Sequence, residues 1–137
     1  MNLLDLALQL AFLEELVRNP ASRIVEDSFS LDPGVERTII ELNGTGRIDE
    51  VLIISSGQDF SVKVIVDGNE VWNKDYGSAS SITDELMFLA VFTRVQDGKY
   101  VYHLADINFR SSVKIAVRNT GSSEITFDNI VIKYRLL

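Results

Sequence analysis

The sequence predicts an all-β domain, an eight-stranded antiparallel sandwich of two sheets, preceded by one N-terminal α-helix. Three observations carry this. Apolar residues recur at every second position, as where Phe60, Val62, Val64 and Val66 alternate with Ser61, Lys63, Ile65 and Asp67. Period two sorts side chains onto opposite faces of a strand. Turn residues such as Asp67-Gly68-Asn69 interrupt these stretches, at a spacing of about eight to twelve residues. That rhythm belongs to a sandwich or barrel, not to a parallel sheet with crossover helices. Strong helical spacing is confined to residues 2–18.

The chain divides into an apolar helix over residues 1–19 and a sandwich domain over 20–137. Asn2 is a capping residue with Asp5 three positions on, close to a capping box. Asn19-Pro20 ends the helix, because the residue before proline avoids the α region. Leu3, Leu6, Leu10, Leu13 and Val17 alternate steps of three and four, the spacing of a coiled-coil seam. Leu4, Leu8, Ala11 and Phe12 form a second apolar flank. A helix this apolar needs cover on most of its circumference. Two readings follow: it packs along its own sandwich, or one face meets its domain and the other meets partner subunits.

Residues 22–31 and 36–42 read as strands, separated by the turn Asp32-Pro33-Gly34. After the loop Asn43-Gly44-Thr45-Gly46 come strands at 48–55 and 60–66. Residues 70–74 form a short returning strand, and 75–81 (DYGSASS) read as a loop. Residues 83–90 mix preferences; they read as a helical turn near 81–86, then a strand over about 88–95. Gln96-Asp97-Gly98 turns the chain into 99–104, followed by strands at 111–119 and 124–136. In the last strand the apolar parity shifts from Ile125 and Phe127 to Ile130, which predicts a bulge at Asp128-Asn129.

Composition excludes several functions. The net charge is −7, and an acidic body repels phosphate backbones and anionic membranes. There is no cysteine, hence no disulfide or thiolate chemistry. The opening residues lack a basic segment and a small-residue cleavage site, and Asp5, Glu14 and Glu15 interrupt the apolar run. No secretory signal or membrane insertion is expected.

Chemistry-bearing constellations are sparse. His103 is the single histidine and reads as an ordinary strand residue. Zinc needs three or four His, Cys or carboxylate ligands, so no metal site is expected. The pairs Asp49-Glu50, Asp67 with Glu70, and Asp84-Glu85 read as turns and solvated faces. The glycine pair Gly44 and Gly46 opens no helix, so a phosphate loop fails its context. Trp72, Tyr76, Tyr100 and Tyr102 either plug the sandwich ends or form a sugar-stacking platform. No catalytic residue and no cofactor is assigned.

The stretches GRIDEVLIISS, SVKVIVDGNEVW and FRSSVKIAVRNTGSSEITFDNIVIKY lie between about residues 45 and 134. In pattern they resemble the small jelly-roll-like β-sandwich structural proteins of phages and archaeal viruses, including those of spherical viruses of hyperthermophilic archaea. The resemblance implies self-association and a place in a virion or in the host cytoplasm. It implies no chemistry. The expected function is that of a non-enzymatic structural protein forming a homo-oligomer, a dimer or trimer, or contacting other virion proteins. The seam Leu3, Leu6, Leu10, Leu13 and Val17 is its expected interface. The alternative is a carbohydrate-binding module that uses exposed Trp and Tyr.

Overall fold

The computed structural model describes residues 22–80 and 90–137, together with Ala7 and Leu10. These contain nine strands: β1 (Arg23–Leu31), β2 (Glu36–Asn43), β3 (Gly46–Ser55), β4 (Phe60–Val66), β5 (Asn69–Asp75), β6 (Ala90–Gln96), β7 (Lys99–Phe109), β8 (Ser112–Asn119) and β9 (Ile125–Leu136). One short helix, α1 (Tyr76–Ser80), follows β5. A five-stranded sheet runs β1-β9-β3-β7-β6 and a four-stranded sheet runs β2-β8-β4-β5. All strand pairs are antiparallel. Early strands pair with late ones: β1 with β9, β2 with β8, β3 with β7.

The alternation seen in the sequence builds the core. Val62 and Val64 of β4 and Val113, Ile115 and Val117 of β8 face Ile48, Val51 and Ile53 of β3 and Phe127, Ile130 and Ile132 of β9 across one cluster. Two hairpins turn on Asp-Gly. Asp67 and Gly68 have φ of 52° and 83°, and Asp97 and Gly98 have 52° and 75°. Positive φ at both central positions is the turn whose twist suits a two-residue hairpin.

Bulges correct the alternation where the sequence breaks it. The register of β3 against β9 slips between Ile48 and Glu50 and slips back between Ile54 and Ser55. The second slip falls in β9 between Phe127 and Asn129, at the predicted break. The first leaves Asp49 unpaired, and Asp106 of β7, with φ of 63°, lies level with it. Arg47 ties the two aspartates together by pairing with both, and Arg135 Nε donates to Asp49 Oδ2 at 2.9 Å.

Four expectations need correction. The described residues hold nine strands rather than eight, because β5 is a full strand paired along β4. β7 extends to Phe109 rather than stopping at Leu104, because the kink at Asp106 restores the inward parity of Ile107 and Phe109. The stretch after β5, expected to be a loop, opens with α1, whose Ser78 N–H donates to Asp75 Oδ1 at 2.6 Å. β6 begins at Ala90, and the helical turn expected near 81–86 lies outside the described residues. Of the N-terminal helix, Ala7 and Leu10 are described; both are helical and exposed.

Candidate functional site

The four aromatic residues proposed for stacking come together, but mostly inside the sandwich. Trp72 on β5, Tyr76 at the start of α1 and Tyr102 on β7 are buried, and Tyr100 is half-buried. The Trp72 indole N–H donates to Tyr102 Oη at 2.7 Å, and that hydroxyl donates to the Lys74 carbonyl at 3.2 Å. Burial pushes the Tyr102 phenol well above its ordinary value, so it stays a donor. Phe60 packs against Tyr102 and Tyr76 with ring centroids 5.7 and 6.1 Å apart. Tyr100 meets Tyr76 edge to face at 5.3 Å. These rings close one end of the core. A sugar-binding platform needs ring faces open to water, and three of the four lack that opening.

His103 lies on the outer face of the five-stranded sheet. Its Nε2 is 2.9 Å from Glu50 Oε1, and Lys133 Nζ approaches Glu50 Oε2 at 3.9 Å. The cross-strand neighbours of His103 are Leu52 and Phe92, so register brings no hydroxyl beside it. Among the described residues no group of three His, Cys, Asp or Glu is placed to hold a metal.

The outer face of the four-stranded sheet carries an open polar depression of about 360 Å³. Glu36, Ser61, Lys63, Asn73 and Arg118 line it, with the backbone around Gly34, Thr120 and Gly121 at its rim. Glu36 and Arg118 stand opposite each other, and Ser61 continues that row. Lys63 is paired to Glu36 at 3.0 Å. Buried Asn119 fixes the rim. Its Nδ2 donates to the carbonyls of Leu31 and Ser123, and its Oδ1 accepts from Gly121 N–H. The depression contains no aromatic ring and no paired carboxylates.

Exposed apolar side chains lie elsewhere. Ile24 is 58% exposed and Val25 36% on β1, Val95 62% on β6, and Leu10, Val35 and Leu137 are exposed too. On the outer face of the five-stranded sheet Leu52, Ile54 and Val131 are half-buried, while Val101 is buried outside the core cluster. Of the predicted seam, Leu10 alone is described; Leu3, Leu6, Leu13 and Val17 lie outside the described residues. The first-strand pattern predicts Val25, Phe29 and Leu31 as inward residues; Leu31 is buried and Phe29 half-buried, but Val25 is exposed, and the pattern does not single out Ile24. A visible signal was the pair of adjacent aliphatics in the first strand, which cannot both face a core. No helix among the described residues is long and apolar enough to cross a membrane. No protein-family model matches the chain, and no curated protein matches it.

Proposed function

We propose that this chain is a non-enzymatic structural or interaction protein, a virion or virion-associated component that self-assembles through its sandwich and its N-terminal helix. The reading places it in a virion or the host cytoplasm. One observation carries the self-assembly: an end strand carries exposed aliphatic side chains on both of its faces, Ile24 on one and Val25 on the other, after an apolar segment whose one described leucine is also exposed. An end strand with exposed apolar side chains is a template for pairing with another chain.

The strand order supports a jelly-roll reading. The pairs β1 with β9, β2 with β8, β3 with β7 and β4 with β5 describe one long antiparallel ribbon folded so that successive pairs alternate between sheets. Strand β6 is then an addition beside β7. Jelly rolls build capsid and lectin domains alike, so the fold narrows the choice without making it. In this proposal the Leu3, Leu6, Leu10, Leu13 and Val17 seam meets partner copies.

Mass in solution tests the reading. Full-length protein is expected to run as a dimer or trimer, and a chain without residues 1–19 as a monomer. A full-length protein that stays monomeric at high concentration overturns the proposal.

A further inference from the structure

We infer that the free edge of β1 is a self-complementary dimerisation edge, paired antiparallel with β1 of a second copy about a two-fold axis at Val25. The inference rests on the self-assembly reading and names its surface. β1 is an end strand whose described partner is β9. An end strand presents unpaired backbone groups that template pairing with another chain, unless something blocks it.

Among the described residues the blocking is confined to one half. Arg37 of β2 lies over the Phe29 ring, 4.1 Å from its centroid, and pairs with Asp27 at 3.1 Å. The other half, Arg23 to Glu26, is exposed at all four residues. It carries two aliphatics in a row and no proline.

Charge chooses the register. In a symmetric antiparallel pair one residue must face its own copy across the axis. With Val25 on the axis, Val25 faces Val25 and Ile24 faces Glu26. Arg23 then faces Asp27, at the border of the blocked half, at both ends; each carboxylate, already paired with Arg37, gains a second guanidinium, and opposite charges directly across strands are favourable. Arg23 has no ion-pair partner among the described residues, so the pairing would satisfy it. Centring on Glu26 sets two glutamates against each other, and centring on Ile24 faces Arg23 with Val25. The slip after Asp27 ends regular pairing there, so the edge contact is short. Ser22 would sit about 10 Å from the axis, at the usual rise per strand residue. That sets Ser22 of both copies at the same junction.

The absence of native cysteine allows a clean test on the full-length chain. Opposed residues sit about 4.5–5.5 Å apart between Cα atoms, within disulfide reach. Val25→Cys is therefore expected to cross-link into a dimer under mild oxidation. Ile24→Cys meets its own copy only across a diagonal of about 7–8 Å, beyond easy bridging. The Val25 variant should form dimer roughly tenfold faster or more, since its thiols face each other at high effective concentration. Random collision predicts the reverse, because Ile24 is the more exposed of the two. Equal or reversed rates, with wild-type protein oligomeric by mass, overturn the edge pairing and leave the self-assembly reading standing. Wild-type protein that is monomeric by mass overturns both.

Discussion

Asp67 does two jobs with one side chain. It takes a left-handed turn position between β4 and β5, and its carboxylate accepts from the backbone N–H groups of Arg110, Ser111 and Ser112 in the turn between β7 and β8. The Ser111 N–H is the largest cause of a carboxyl held below its ordinary value of 3.8. A group depressed in this way adds stability above its unfolded value and loses it as pH falls through the folded one. Asp67→Asn keeps the turn geometry and removes the charge. It should cost about 1 kcal/mol at neutral pH, in line with other carboxylates that cap free backbone donors. Urea midpoints should then converge for variant and wild type as pH drops below about 3.8. Tyr102 makes a different prediction. Tyr102→Phe leaves the Trp72 indole N–H and the Lys74 carbonyl without their partner, next to a fully buried ring. The expected loss is about 1–3 kcal/mol of unfolding free energy by denaturant titration, the cost of unsatisfied buried polar groups. The sequence reading groups Trp72 with Tyr102, but their hydrogen bond is not legible in it, since they are thirty residues apart and meet across the two sheets.

Elements were easier to read where one face is buried and regular. Strands β4 and β8 appeared at nearly their full length, because their alternation is unbroken from end to end. The β9 bulge was also readable, because both of its halves carry apolar parity. Strand β7 was cut short at Leu104, since Ala105, Asp106 and Ile107 break the period and the sequence does not say that Asp49 kinks beside them. Where β3 starts depends on a glycine with no room. A Cβ on Gly46 would collide with the Arg135 carbonyl of β9 and lie 2.7 Å from the Phe109 ring of β7. Gly46→Ala must push apart the strands on both sides of β3. It should destabilise by about 1–3 kcal/mol, as overpacking of a tight site does. Gly68→Ala is a useful contrast: it meets no atom within 4 Å, so its cost is the positive φ alone.

For the whole molecule, alternation predicts two antiparallel sheets around one core, which the chain forms, but it does not predict the strand order. Period two says which way a side chain faces but not which strand lies alongside. Charge acts at this scale too. Copies with a net charge of −7 repel one another, and raising salt from about 0.1 M to about 1 M shortens that repulsion from about 10 Å to about 3 Å. A few ion pairs at a junction weaken in the same salt, but they are fewer than the excess charges on two copies. Association measured by sedimentation should therefore tighten as salt rises; weakening would mean that charge pairs dominate the contact. The position of β9 has a further consequence, for synthesis. It is the last of the nine strands to be made, yet it lies between β1 and β3. Until the ribosome releases it, the first strand has no neighbour and the larger sheet has a gap beside its middle. At about 5–20 residues per second that wait lasts several seconds. A message cut short before residue 125 would yield a product that chaperones and proteases meet as unfinished, whatever the quality of the eight strands already made.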